Sequence, residues 1–525
     1  MTGSTLKHWN NFKLKVLLEG IGVGLVAGIV VVFYRILLNE VSEFRNHILI
    51  FLKSHGVEYT FIWFGVLILT ALGIGILIQK LPMIKGSGIP QVKGVLLRQL
   101  KMEWLKELIT KFFAGILTVG LGLSLGREGP SVQLGSEIGL GVSRLLKRHH
   151  LEEKYLITSG ASAGLAAAFN APLAGVMFAL EELHKNFPPV VMICVMGSSL
   201  MADFVSKHFF GLNPVFQFEN VTPLPLKYYG FLVGLGVIAG VMGGLFNYTL
   251  LKVQDIYKGM HFVKDIYKPI IPFVMAGLLG LIMPEMLGGG HDLIEKMTPA
   301  DLMLSTVLIY IIVKFVFTMI CYGSGVPGGI FLPLLVIGAL IGKLYGLILV
   351  EYFDLSASYA VNFIILAMAA YFTAIVKAPI TGAVLILEMT SSFQHLLALI
   401  VVAMTAYVVA DLLHVPAVYD ALLEKMLGNG SQNKNTYKRN RKTILEIPVS
   451  IGSIFEYKKI KEIQWPGHCL IVGIHRGEKE IIPNGDTQIF QGDRLIVLTD
   501  EEEGCEIKPV LLSMGVENLS QALQS

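Results

Sequence analysis

The sequence predicts an all-α, polytopic membrane domain followed by a small α/β domain, and three observations carry that prediction. Of 525 residues, 54% are hydrophobic and only 15% charged, against about 25% charged in ordinary soluble domains. Long apolar stretches recur along most of the chain, and Gly20 to Tyr34, Asn186 to Ala202 and Phe315 to Gly342 contain no Asp, Glu, Lys or Arg, a pattern that soluble cores do not sustain. Past residue 427 the character changes to a basic polar run and then to short alternating segments. A single soluble globule, a collagen, a disordered chain and a β-barrel are all excluded. The 55 glycines and a mean hydropathy of +0.64 fit helices packed closely in lipid.

Taken in order, residues 1–15 are expected to form a cytosolic N-terminal segment. The first span follows Lys7, Lys13 and Lys15 and continues through Leu38 with no small-residue cleavage pattern, so it reads as a retained helix rather than a signal peptide. A membrane domain is expected over 16–427, and it repeats itself. "KFFAGILTVGLGLSLGREGPSVQLG", Lys111 to Gly135, lies over "KFVFTMICYGSGVPGGIFLPLLVIG", Lys314 to Gly338, at an offset of 203. "APLAGVMFALE" from Ala171 matches "APITGAVLILE" from Ala378 at offset 207, and "GVGLVAG" from Gly22 matches "GLGVIAG" from Gly234 at offset 212. The halves, about 16–206 and 226–427, are expected to be inverted. That arrangement places a substrate site near the membrane midplane between broken helices.

A basic linker, 428–442, carries Lys434, Lys438, Arg439, Arg441 and Lys442 with no acid. Beyond it, 443–525 is expected to be a separate cytosolic domain: "HCLIVGIHR" and "DRLIVLT" alternate as strands do, and "PNGD" and "QGD" signal turns. Residues 446–525 carry a net charge of −6 and the preceding residues +9, which together make the +3 of the whole chain. The positive excess could favour anions, but the simpler reading is the cytosolic Lys and Arg that orient membrane helices, so charge names no substrate and no nucleic-acid partner is expected. Cys194, Cys321, Cys469 and Cys505 are far apart and form neither CxxC nor a Cys/His metal spacing.

Three glycine- and proline-rich strings interrupt the apolar sequence: "GSGIP" (Gly86, Ser87, Gly88, Ile89, Pro90), "GREGP" (Gly126, Arg127, Glu128, Gly129, Pro130) and "GGIFLP" (Gly328, Gly329, Ile330, Phe331, Leu332, Pro333). Glycine permits a tight turn and proline suits a helix's first turn, so each string is expected to open a half-helix. Convergent helix N-termini offer unpaired N–H groups and partial positive charge to an anion, holding it weakly enough to release it. Glu128, an acid within a membrane segment, is a functional candidate by that fact alone. It lies over Phe331 in the repeat, so the duplicate half lacks it. Likewise Glu181 matches Glu388, whereas Glu182 lies over Met389. Glu181 therefore reads as structural and Glu182 as the specialised acid.

With these strings in order on a duplicated membrane domain, the chain resembles the CLC family of chloride channels and chloride/proton antiporters over roughly residues 15 to 427. The resemblance implies the CLC fold and a homodimer with a separate anion pathway in each subunit. It makes the Ser87 hydroxyl, the backbone N–H groups of Ile330 and Phe331, and the Tyr419 hydroxyl in "VPAVYDALL" the chloride ligands. It makes Glu128 the external gating glutamate and Glu182 the inner proton relay, a position where channel-type members commonly hold another residue. The implied function is exchange of chloride for protons, with a passive chloride channel, or a transporter whose main anion is nitrate or fluoride, as alternatives. Family members that prefer nitrate carry proline at the serine position, so Ser87 points to chloride.

The segment from about Thr443 to Leu512, through "IIPNGDTQIFQGDRLIVLTD", resembles the TrkA-C (RCK-C) subdomain of potassium-transport regulators. That resemblance implies a regulatory domain with an unidentified small-molecule ligand, or a module that assists folding or dimerisation, in a multi-pass protein of a prokaryotic plasma membrane. An enzyme is not expected. The G-x-S-x-G string "GASAG" around Ser162 lies in the small-residue run "SGASAGLAAAFNAPLAG", which suits helix packing better than a nucleophile elbow. No cofactor is expected beyond the transported ions.

Overall fold

The computed structural model describes residues 3–185, 187–218, 221–297, 302–428, 442–477 and 479–516. The chain forms two compact units, Met1–Leu423 and Glu424–Ser525.

The first half of the membrane unit comprises α1 (Gly3–Ser54), α2 (Val57–Lys80), α3 (Ile89–Leu96), α4 (Trp104–Gly120), α5 (Glu128–Leu145), α6 (His150–Phe169), α7 (Pro172–Phe178) and α8 (Pro189–Phe210). The second repeats that order as α9 (Tyr229–Gly259), α10 (Ile270–Ile282), α11 (His291–Met297), α12 (Leu304–Gly323), α13 (Phe331–Tyr352), α14 (Ala360–Val376), α15 (Pro379–Thr390) and α16 (Leu396–Leu412). A further helix, α17 (Val418–Met426), follows. Among the described residues, nine helices are long and apolar enough to cross a membrane, and the remainder include the short broken ones. From Gly3 onward the expected N-terminal segment is part of α1.

The offsets read in the sequence reappear as symmetric contacts. Gly126 and Gly329, 203 apart, form an antiparallel bridge, each N–H donating to the other's carbonyl at 2.7 and 2.8 Å. Glu181, just beyond α7, accepts from the N–H groups of Ile380 and Thr381 at the start of α15 (3.2 and 2.7 Å). Glu388, near the end of α15, accepts from Leu173 and Ala174 at the start of α7 (3.0 and 2.7 Å). Each acid satisfies orphan N–H groups and the positive end of the other half's helix. Lys111 Nζ donates to the carbonyls of Ile84 and Gly86, and Lys314 Nζ to those of Met286 and Gly288. Buried lysines thus hold the loop before the broken helix in both halves.

Small residues bring the helices close. A methyl group added at Gly135 would lie 2.0 Å from the Gly160 carbonyl, and one at Gly164 2.0 Å from that of Ser131, so α5 and α6 touch backbone to backbone. Ser162 is buried inside α6, which is no strand-to-helix elbow. The central helices α13 and α14 are largely enclosed, while Phe61, Leu69 and Phe204 on outer helices are exposed, as lipid-facing residues are.

The second unit holds an antiparallel sheet in the order β1-β4-β2-β3, with β1 Lys442–Pro448, β2 Cys469–Arg476, β3 Lys479–Ile481 and β4 Arg494–Asp500, followed by α18 (Glu501–Val516). Ile447 and Ile474 both face Leu495 across the sheet, and these side chains meet Phe455, Val497 and Leu511 in one core. "HCLIVGIHR" and "DRLIVLT" fall on β2 and β4. At the "QGD" turn, buried Asp493 accepts from Arg476 Nε and Nη2 at 2.8 Å each and from the Phe490 N–H at 2.9 Å. This pairing raises the Arg476 pKa. Most of the basic linker, residues 429–441, lies outside the described residues.

Candidate functional site

Each of the three glycine- and proline-rich strings opens a helix. Pro90 lies in the first turn of α3, Glu128 is the first residue of α5 with Pro130 two positions on, and Phe331 starts α13 with Ile330 as its N-cap and Pro333 two positions on. The loop before α3 turns through Gly86 (φ +57°) and Gly88 (φ +91°), a left-handed backbone that glycine adopts without strain. At Gly88 a side chain is also excluded by space, since a Cβ would lie 2.2 Å from Gln133 Oε1.

The three helix starts converge. A methyl at Gly129 would fall 2.8 Å from Ser87 Cβ, and one at Gly329 would fall 3.0 Å from the Gly129 nitrogen. Gly328 packs on Leu125, and the Gly126–Gly329 bridge ties α5 to α13. The starts of α3, α5 and α13 therefore share one small region, where Ser87, Glu128, Ile330 and Phe331 are buried; Tyr419 on α17 is buried as well. Among the described residues, Ser87 Oγ and the Tyr419 hydroxyl are buried side-chain atoms without a hydrogen-bond partner. Hydroxyls beside helix N-termini are donors suited to a ligand that accepts hydrogen bonds. The Phe331 ring is held by Phe372, Phe169 and Phe178, with centroids at 4.7, 5.2 and 6.3 Å.

Glu128 is completely buried. Its carboxylate faces the N–H groups of Glu128 and Leu332, yet neither oxygen has a partner in full hydrogen-bond geometry. Arg127 Nε stands 4.0 Å from Oε1, so Arg127 abuts the gate candidate. Tyr419 lies within electrostatic reach of Glu128, Glu182 and Tyr322.

Glu182 sits on a π-helical turn, Ala179–His184, that continues α7 and ends at Lys185 in the left-handed region (φ +56°). The duplicate helix α15 runs to Thr390 as regular α-helix. The half bearing the extra acid is thus also the half with the irregular turn, a feature that recurs at functional sites. The turn sends Glu181 to cap α15 and Glu182 into the interior, where Lys93 Nζ donates to it at 2.8 Å with both side chains 3% exposed. Lys93 also pairs with Asp420, and Asp420 with Lys185.

Sequence reading missed Lys93, Asp420 and a fourth loop. The available signal for Lys93 was a cation inside an apolar half-helix six residues after Ser87. Gly288 and Gly290, with φ +61° and +92°, reproduce Gly86 and Gly88 in the second half. No proline follows them, so the string escaped notice.

The fold and this region define a multi-pass membrane protein of two inverted halves, with three helix N-termini converging beside the buried acid Glu128. A family model described as voltage gated chloride channel matches residues 70–411, and one described as TrkA-C domain matches 444–507. The chain belongs to the voltage-gated chloride channel family. It is 34% identical to the H(+)/Cl(-) exchange transporter ClcA of Vibrio cholerae serotype O1 over 418 residues, 78% of this chain and 88% of the relative. It is also 34% identical to the ClcA of Klebsiella pneumoniae over 424 residues, 79% and 89% of the two. Among solved structures, a slow cyanobacterial Cl−/H+ antiporter superposes with a TM-score of 0.75 at 29% identity, covering 79% of this chain and 99% of that one. A CLC-type fluoride/proton antiporter superposes at 0.65 with 25% identity, covering 78% and 98%.

Proposed function

We propose that this chain exchanges chloride for protons across the membrane by secondary active transport. The observation that carries the reading is a pair of buried acids, Glu128 and Glu182, each absent from the duplicate half. The similarity to relatives named as H(+)/Cl(-) exchange transporters and to a Cl−/H+ antiporter supports it.

In this reading chloride takes hydrogen bonds from Ser87, Tyr419 and the backbone N–H groups of Ile330 and Phe331. The helix termini contribute partial charges of about +0.5 each at most, enough to replace water and too little to trap the ion. Glu128 carries its carboxylate at the same converging helix starts, facing the N–H groups of Glu128 and Leu332, so it competes with chloride and leaves when protonated or displaced. Glu182 receives the proton on the cytosolic side. Each subunit of a homodimer holds its own pathway. The N-terminus and the TrkA-C domain face the cytosol of a prokaryotic cell, where the domain senses a small molecule and regulates transport.

The test is purified protein in liposomes under a chloride gradient, with proton movement recorded. Uphill proton movement that Glu182→Gln abolishes while chloride still moves supports exchange. Chloride flux with no proton movement makes the chain a passive channel and refutes the proposal.

A further inference from the structure

We propose that Lys93 is the positioning residue for proton transfer at Glu182, and that it works by sharing itself between Glu182 and Asp420. The proposal rests on the reading of Glu182 as the inner proton carrier.

Four charges alternate in a row. Glu182 is 3% exposed, Lys93 3%, Asp420 30% and Lys185 47%, so the row climbs from the interior to the surface. Lys93 Nζ donates to Glu182 Oε1 and pairs with Asp420 Oδ1, and Asp420 Oδ2 takes Lys185. This geometry solves a problem that any buried proton carrier faces. A carboxylate held by one buried lysine resists protonation, because neutralising it leaves an uncompensated cation in the interior, which is strongly unfavourable. Here Lys93 keeps Asp420 when Glu182 is neutral.

The transfer balances simply. A proton from cytosolic water forms an O–H bond on the Glu182 carboxylate, and the Lys93 N–H contact to that oxygen loosens. Asp420 remains ionised between two lysines throughout, and nothing is oxidised or reduced. When Glu182 passes the proton on, Lys93 re-forms the contact.

Two placements support this role. Lys93 stands on α3, the half-helix opened by Ser87. Asp420 is adjacent to Tyr419 on α17. The ion-pair row therefore touches the same two elements that carry the candidate anion-binding hydroxyls. The π turn supplies both ends of the row, Glu182 and Lys185.

The experiment compares Lys93→Gln, Lys93→Arg, Asp420→Asn and Glu182→Gln in the full-length protein in liposomes, measuring proton and chloride flux separately. Lys93→Gln is expected to lower the proton-to-chloride ratio by at least about tenfold, the change that loss of one charge-assisted contact makes in an equilibrium. Asp420→Asn should lower the ratio in the same sense. Lys93→Arg should restore most of it, because a guanidinium can span both carboxylates. A purely structural role would reduce both fluxes in proportion and leave the ratio at the wild-type value, which overturns the proposal. If Lys93→Gln does not fold, Asp420→Asn, at the more exposed partner, decides the matter by the same ratio. Full coupling in Glu182→Gln would refute the parent reading. Lost coupling there with a wild-type ratio in Lys93→Gln and Asp420→Asn would refute this proposal alone.

Discussion

Removing Glu181 should weaken the protein without uncoupling it, even though its neighbour Glu182 is assigned to proton transport. Glu181 accepts three hydrogen bonds at the start of α15: the Ile380 N–H at 3.2 Å, the Thr381 N–H at 2.7 Å and the Thr381 hydroxyl at 2.7 Å. Glu388 accepts two at the start of α7. Each is charge-assisted but partly accessible to water, so about 1 kcal/mol apiece is reasonable, with a few tenths more for the helix dipole. Glu181→Ala should then cost about 3–4 kcal/mol and Glu388→Ala about 2–3 kcal/mol. Losses of that size lower a thermal midpoint by several degrees. Because large membrane proteins unfold irreversibly, the comparison is made at one scan rate on purified protein in detergent. The expected order is wild type, then Glu388→Ala, then Glu181→Ala, each with its proton-to-chloride ratio intact. Melting of both variants with wild type would refute the capping argument. A changed ratio in Glu181→Ala would refute the division of labour between the adjacent acids.

Glu128→Gln should retain chloride flux and lose proton movement in liposomes, since the amide imitates the protonated gate; full coupling in that variant would remove Glu128 from the mechanism. Gly88→Ala should weaken chloride binding, read by calorimetry, and lower the thermal midpoint. It combines left-handed strain of at least about 1–2 kcal/mol with a Cβ 2.2 Å from Gln133 Oε1, and normal binding would mean the loop is not held by that contact. Asp493→Ala should loosen the second unit by about 2–3 kcal/mol, less than a fully buried pair because the Arg476 side chain is 36% exposed. Limited proteolysis of the full-length chain should then cleave within residues 442–516 sooner than in wild type, and equal cleavage rates would count against the Arg476–Asp493 anchor.

Local features of the fold were legible in the sequence because local chemistry produces them. Glycine and proline at Gly86–Pro90, Gly126–Pro130 and Gly328–Pro333 dictate where helices begin, and the repeat separated Glu182 from Glu181 before any contact was known. The capping of α15 by Glu181 has a physical cause that repeat analysis caught only as a match with Glu388. What escaped was non-local or signal-free. Lys93 and Asp420 meet only through the fold, across a separation that no periodicity spans. The π turn at Ala179–His184 has no compositional mark, and β1 begins inside a stretch whose basic residues read as linker. Gly288–Gly290 escaped for a different reason. Its partner loop is recognised by its proline, and the second half carries Asp292 at that position of the equivalent short helix.

The bridge between Gly126 and Gly329 bears on the history of the chain. The two glycines occupy the same position of the two halves, and each donates to and accepts from the other. In two separate copies of a half-length chain, that contact would be one residue meeting its own symmetry mate, the self-complementary interface of a two-fold dimer. The reciprocal acids Glu181 and Glu388 satisfy the same description. A half-length chain bearing both positions of each contact would carry the bonds needed to pair with a second copy in the opposite orientation. Joined in one chain, the two copies need not be identical: one half has acids at 128 and 182 where the other has Phe331 and Met389.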